Sequence, residues 1–467
     1  MSRQQMNPGL STALRASRIA GNGVHGDDVV ALWVAERRAQ RSLLTKFKAL
    51  SDLDGWEQEA ESGNIRHTSG RFFTLTGIHV RHRYQQREVE WDQPIIDQPE
   101  VGILGILVKV IDGVLHFCLQ AKEEPGNLHG VQLSPTVQAT YSNYTQSHGG
   151  SRPLFIDHFL TPAAEKVLYA KLQSEDGGRF LYKLNRNMIV QVGSQELATL
   201  PPEFIWLTLA QIGRLLQQDN LLHATTRSVL CGLLLTEDSI RPFGGKTFQR
   251  QLFATLQWYD DCAAINHFLI KRIGLNALSE WSMGPKGIFA HQQNRFFQII
   301  GLRVAVTGRE VIGGWEQPIL SNPHHGIIGL LMRRTGAERS FLMQSKAEPG
   351  NRTVIQLGPT VQFTPGNYID NQKLAKPFLY DEFLQPRDFT LLANTLQAEE
   401  GARFYHESHH HRLLELPPGR VLDLPEEFHW VSETELRFLL TLGGYVNSCA
   451  RSILACVGQI GLGDSSS

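Results

Sequence analysis

Lys122 and Glu124 stand two residues apart, and so do Lys346 and Glu348, 224 positions further along. On an extended strand, residues two apart point to one face, so each pair turns an ammonium and a carboxylate toward a common ligand. A carboxylate so placed can take a proton, and a nearby cation can steady the negative charge that forms. Tyr144 and Tyr368 follow the two pairs and can give or accept a proton. The plain alternative is a solvated ion pair at a strand end, which contributes little to stability. Recurrence of the pair in both halves weighs for function.

The pairs belong to a longer repetition. Gln120 to Tyr144 matches Gln344 to Tyr368 at 15 of 25 positions without a gap, where unrelated sequences would share about one or two. The same offset pairs Arg71-Phe72-Phe73 with Arg295-Phe296-Phe297, Gly77 with Gly301, and Trp91-Asp-Gln93-Pro94 with Trp315-Glu-Gln317-Pro318. Further on it pairs Arg179-Phe180 with Arg403-Phe404 and Arg227-Ser228 with Arg451-Ser452. The chain is a tandem duplication. The retained residues are largely polar groups that a core does not require, so the repeat reads as a doubled binding surface.

A length of 467 residues suits two domains. The expected layout is a disordered lead over 1–26, a first repeat over 27–235, a second over 245–460 and a disordered tail over 461–467. A net charge of −1 argues against nucleic acid or an anionic membrane as the main partner. The longest apolar runs are too short to span a bilayer, and the first residues lack the apolar core of a secretory signal. The expectation is a cytoplasmic protein. Five cysteines without a CxxC pair read as buried thiols.

Helices are expected from Asp27, with acids leading and arginines trailing, near Phe248 to Ile273, and in the proline-led segments from Pro162 and Pro386. Phe72 to Val80, Gly102 to Val110 and Gly113 to Gln120 read as strands, the last two joined at Asp112-Gly113. Each half ends in a strand, a Pro-Pro-Glu or related turn, and a helix carrying Leu209, Ile212, Leu215 and Leu216, or Leu436, Leu439 and Leu440. This order indicates an α+β sandwich around a mixed sheet in each half.

Gly70-Arg71-Phe72-Phe73, Trp91-Asp-Gln93-Pro94, Gln120-x-Lys122-x-Glu124-Pro125-Gly126-Asn127, Gln132 to Gln138, Ser142-Asn143-Tyr144 and Gly401-Ala402-Arg403-Phe404-Tyr405-His406-Glu407 resemble the NDP-hexose 2,3-dehydratase family. The resemblance runs from about Val29 to Val457. It implies two tandem Nudix-like domains, a homodimer, and action on dTDP-4-keto-6-deoxyglucose in deoxysugar biosynthesis, with a 3-ketoreductase acting next. The box of a working Nudix hydrolase is missing from both halves; Gln397-Ala398-Glu399-Glu400-Gly401 is a remnant at most. Pyrophosphate hydrolysis is therefore disfavoured.

The implied chemistry is proton abstraction at C3 beside the C4 carbonyl, charge held at O4, and departure of the C2 hydroxyl. It requires no metal and no redox cofactor. Lys346, Glu348, Tyr368 and His406 are the candidate catalytic residues. Lys122, Glu124, Gln138, Thr140, Ser142, Asn143 and Tyr144 in the first half, with Gln344, Gln362, Thr364 and Asn367 in the second, are candidates to hold substrate. Arg179 and Arg403 suit a pyrophosphate or a capping role. Trp56 and Trp281 suit stacking on thymine or anchoring a core. Trp91 and Trp315 read as packing residues, and the Pro-Gly pairs as turns. Adjacent residues of the run His409-His410-His411 point to alternate faces, which disfavours a metal there.

Which half reacts stays open at this level. Tyr405, His406 and Glu382 give the second half the fuller acid/base inventory, against Leu181, Tyr182 and His158 in the first. Ser142 and Glu123, against Gly366 and Ala347, support the opposite assignment. His410, where the first half has Arg186, also counts against the second pocket. A duplicated nucleotide-sugar binding protein without turnover and a divergent Nudix-type hydrolase are the alternative functions.

Overall fold

A computed structural model describes residues 8–40, 42–145, 152–234, 245–306, 314–336, 338–369 and 374–457. Each half builds a seven-stranded mixed sheet. In the first the order is Val167–Ser174, Leu184–Gln191, Gly102–Ile111, Val114–Glu123, Phe204–Leu207, with Val131–Pro135 and Val137–Ala139 on the two central strands. Leu184–Gln191 runs parallel to Gly102–Ile111, and the other pairings are antiparallel. The second half repeats the order with Thr390–Ala398, Ser408–Glu415, Gly326–Thr335, Glu338–Ala347 and Phe428–Ser432.

Gly102–Ile111 reads as one apolar run because Ile106, Leu107 and Val108 are all fully buried, with packed layers on both faces. At the following turn Asp112 and Gly113 both take positive φ, 48° and 77°, as a two-residue hairpin of this twist requires. The closing helices Leu209–Leu216 and Glu433–Leu442 each start at a capping box, Thr208 with Gln211 and Ser432 with Glu435. Their expected apolar faces are buried. Among the described residues no helix is long and apolar enough to cross a membrane. All five cysteines are free thiols and four are buried.

The halves also exchange strands. Asn266–Ile273 of the second half pairs antiparallel with Thr74–Tyr84 in the small sheet of the first. Leu43–Lys48 of the first pairs in the same way with Gln298–Val306 of the second. The matched glycines lie at the ends of these pairings. A Cβ on Gly77 would stand 2.9 Å from Gly274 O, and one on Gly301 2.4 Å from Lys48 O.

Three sequence expectations are corrected. Pro8–Ile19, placed in a disordered lead, is a helix that seats Leu10, Ala13 and Leu14 in the first core, while Ser17 Oγ accepts from Leu209 N at 2.9 Å. Spacing of three and four residues between those positions is the helical signal. The helix expected to reach Ile273 ends at Ile265, where the chain turns into the exchanged strand. The segments after Pro162 and Pro386 are the strands Val167–Ser174 and Thr390–Ala398. Each carries a register shift, between Val167 and Tyr169 or Leu391 and Ala393, and an extra residue breaks the period of two that marks a strand. The proposed tail over 461–467 lies outside the described residues.

Arg227 and Arg451 are fully buried and clamp the halves together. Arg227 donates to Ser452 Oγ and Ala398 O, both at 2.7 Å; Arg451 donates to Ser228 Oγ at 2.9 Å and to Ser174 O. Replacing Arg227 by Met removes a buried donor from Ala398 O and Ser452 Oγ, so stability should fall by about 3 kcal/mol. Urea denaturation should show a lower midpoint in a single transition, since neither half completes its smaller sheet alone.

Candidate active site

The duplicated motifs meet at two sites, and each draws groups from both halves. The second-half pocket is a cavity of about 200 Å³ walled by Glu348, Gln362, Thr364, Asn367, Tyr368, Glu399, Glu407 and His409. The first half contributes Asp176, Gly178 and Arg179 to it. In reverse, Arg403 of the second half lies by the first-half groups Glu124 and Glu100, within 3.4 Å of Gln98 Oε1. Gly177 passes so close to Glu348 that a Cβ there would meet Asn351 Oδ1 at 2.5 Å and Glu348 Cβ at 2.9 Å.

Glu348 accepts from Gln362 Nε2 at 3.1 Å and from Asn351 Nδ2 at 3.3 Å. Asn447 donates to Gln362 Oε1 at 3.2 Å and so orients that amide. These donors are neutral. Burial, then the nearby Asp176, pushes the Glu348 carboxyl up to about 7, with Lys346 opposing from a distance. Lys346 forms no ion pair within 4 Å among the described residues, but shares its strand face with Gln344. Gln344 sits opposite Gly358 and Phe428, away from the cavity wall.

Glu407 is buried and pushed up to about 7, and Glu399 to about 8, chiefly by loss of water. Arg179 stands 3.9 Å from Glu407, too far to offset that burial fully. Glu407 Oε2 has no partner among the described residues. His409 Nδ1 accepts from Gly326 N at 3.0 Å, and its other nitrogen lies 3.5 Å from Glu407. Burial and the neighbouring Arg179 press His409 down to about 3, so it is neutral. Tyr368 is raised by burial and holds its proton.

The first-half site has the same frame, but its central glutamate is ion-paired. Lys122 Nζ lies 3.1 Å from both Glu124 Oε1 and Gln138 Oε1, so the expected convergence of lysine and glutamate is present. His223 Nε2 lies 2.8 Å from Glu124 Oε2, and Ala402 N donates to the same oxygen at 2.9 Å. Burial alone would raise Glu124, but His223 and Lys122 hold it well below the ordinary range. Gln138 also donates to Glu400 at 2.9 Å. Ser142 Oγ donates to Glu100 at 2.9 Å and lies 3.1 Å from Thr140 Oγ1. Asn143 is exposed and Tyr144 half-buried on the turn Tyr141–Tyr144.

His406, Trp56 and Trp281 lie outside the wall of the second-half cavity. His406 takes φ 53°, stacks on Tyr405 at 3.9 Å and donates its backbone N–H to Gly126 O at 2.9 Å. It therefore faces the first-half turn and His129, not Glu348 or Tyr368. Trp281 is buried, and Trp56 packs against the same aromatic cluster. Their indoles donate to Asp92 O and Glu316 O across the halves, at 3.1 and 2.7 Å. Both are core anchors, because their rings lie behind Phe297 and Phe73. Those two phenylalanines carry the guanidiniums of Arg179 and Arg403 at 4.1 and 4.3 Å.

The sequence reading missed Asp176, Glu399, His409 and His223 as site groups. The repeat offset could have found two of them, since it sets His223 against Asn447 and Asn185 against His409. It also sets Lys183 against Glu407. The Lys183–Glu407 exchange removes a cation from the second pocket and adds a carboxylate.

A family model described as NDP-hexose 2,3-dehydratase matches residues 27–233 and 253–457. The chain belongs to that family. It is 38% identical over 432 residues to a dTDP-4-dehydro-6-deoxy-alpha-D-glucopyranose 2,3-dehydratase of Streptomyces violaceoruber, covering 91% of this chain and 95% of the relative. A protein of the same description from Amycolatopsis orientalis is 38% identical over 452 residues, covering 95% and 93%. One from Saccharopolyspora spinosa is 36% identical over 439 residues, covering 91% and 89%. The family match falls on both halves.

Gly177→Ala should disturb the second pocket of this dehydratase through Asn351 and Glu348. A displacement of about 1 Å there can lower turnover by about 100-fold. Steady-state kinetics with a melting curve should show lost turnover in a folded protein.

Proposed function

We propose that this protein removes water across C2 and C3 of dTDP-4-keto-6-deoxyglucose in the second-half pocket, with Glu348 as the base. The observation that carries this reading is the contrast between the two glutamates. Glu124 is locked as an ion by His223 and Lys122, whereas Glu348 has neutral donors and titrates near neutrality, where a general base works best.

Glu348 takes the C3 proton, and the C3–H electron pair moves into C3–C4 as O4 gains negative charge. Arg179 is the cation facing that charge. The pair then returns to form C2=C3 as the C2–O bond breaks. Tyr368, or protonated Glu407, supplies the proton with which hydroxide leaves as water. The resulting enol gives the 3,4-diketo-2,6-dideoxy sugar nucleotide. Lys346 adds positive potential near Glu348, and Gln362, Thr364 and Asn367 hold the substrate.

The ion-paired state of Glu124 supports a second role at the first site, binding a nucleotide sugar without turning it over, through Lys122, Gln138, Thr140, Ser142 and Arg403. We further read each half as a Nudix-like fold, the assembly as a cytoplasmic homodimer, and a 3-ketoreductase as the next enzyme. A mixed sheet between helices supports the first of these. Exposed Leu44, Phe47 and Leu269 on the exchanged strands offer apolar surface for a second copy.

Glu348→Gln should lower kcat by about 10²- to 10⁴-fold, and Glu124→Gln by much less, as followed by mass spectrometry of a ketoreductase-trapped product. Below its raised pKa Glu348 carries a proton and cannot act as base. Activity should therefore rise with pH through about 7, not through the ordinary glutamate range near 4.5. A profile already flat from pH 5 to 8 would count against Glu348.

A further inference from the structure

Arg179 enters the second pocket from the opposite half on a short loop, so something must hold that loop in place. We infer that Gln93 is a positioning residue for the reaction, fixing the backbone that presents Arg179. The inference rests on the reading that the second pocket is the one that turns over.

Gln93 lies on the strand Arg87–Asp97 and is not part of the pocket wall. Its Nε2 donates to Gly178 O at 2.9 Å, the carbonyl of the peptide that leads into Arg179. The amide cannot turn round, because Trp91 Nε1 donates to Gln93 Oε1 at 2.8 Å and an indole only donates. The same strand then takes the next carbonyl, with Ile96 N donating to Arg179 O at 2.9 Å. Gly178 N is held by Asp176 Oδ1 at 2.8 Å. Thus the loop is tied on both sides of the Arg179 Cα, while Phe297 of the other half supports the guanidinium face.

The device is built twice. Trp315 donates to Gln317 Oε1 at 2.7 Å, Gln317 donates to Ala402 O at 2.9 Å, and Leu320 N donates to Arg403 O at 3.0 Å. Recurrence with the same atoms, in pockets whose charges differ, fits a role in presenting the arginine. It also accounts for a Trp-x-Gln motif that packing alone leaves unexplained.

Gln93→Glu keeps the size of the side chain and the bond from Trp91, but sets a carboxylate oxygen against Gly178 O. With wild-type melting behaviour, kcat/KM for dTDP-4-keto-6-deoxyglucose should fall by about 10- to 100-fold. Trp91→Phe, which frees the amide to turn, should give a smaller loss. The deciding test is a cycle with Arg179→Ala. If Gln93 works through Arg179, Gln93→Glu costs nothing further once Arg179 is gone. An equal loss in both backgrounds, or full activity in Gln93→Glu beside an impaired Arg179→Ala, overturns the inference. Glu348→Gln in the same assay separates the failures. Wild-type turnover there overturns the second-pocket reading and this inference with it, whereas an inactive Glu348→Gln beside a normal Gln93→Glu overturns the role of Gln93 alone.

Discussion

Two backbone hydrogen bonds, Gly126 N to Gly401 O and Gly350 N to Gly177 O, both 2.7 Å, tie the Pro-Gly turn of each half to the arginine loop of the other. Neither turn tolerates a side chain at this point. A Cβ on Gly126 would stand 1.8 Å from Phe404 O, and one on Gly350 1.9 Å from Phe180 O. The sequence presents these residues as turn formers, but their glycines are set by contact between halves. Everything functional follows from that crossing. It seats Glu124 and Glu348 beside the opposite loop, brings Arg403 and Arg179 over, and removes the water that would keep the carboxylates ordinary.

The exchanged strands and the buried Arg227 and Arg451 serve the same closure. Each supplies donors or sheet edges from one half to the other, so neither half reaches a satisfied interior alone. On this symmetric frame a few exchanges set opposite electrostatics. His223 and Lys183 stand in the first half where Asn447 and Glu407 stand in the second. In one site the central carboxylate, Glu124, is thereby paired with Lys122 and His223. The other gathers four carboxyls, Asp176, Glu348, Glu399 and Glu407, in a cavity whose wall also carries Arg179.

Much of this is legible in the chain. The duplication, the α+β class, the Asp112-Gly113 hairpin and the closing helices are written in local pattern. The Lys-x-Glu pairs and Gln362, Thr364, Asn367 and Tyr368 are marked by polar residues kept where a core needs none. What escapes depends on non-local geometry. Strand exchange leaves no trace in periodicity, and bulges in Val167–Ser174 and Thr390–Ala398 disguise strands as helices. His406 is misplaced from sequence because its neighbour Glu407, one residue on, points to the pocket while His406 takes a left-handed turn toward the other half. The crossing of Arg179 and Arg403 is invisible to an offset that aligns each half with the other.

The most direct test of the central claim is a crystal structure of the Glu348→Gln variant with dTDP-4-keto-6-deoxyglucose. The expected result is an intact hexose in the second pocket, its C3 about 3–3.5 Å from the side chain at 348, with Arg179 of the first half facing O4. A hexose lying against Lys122 and Glu124, with C3 out of reach of residue 348 in the second pocket, would contradict it.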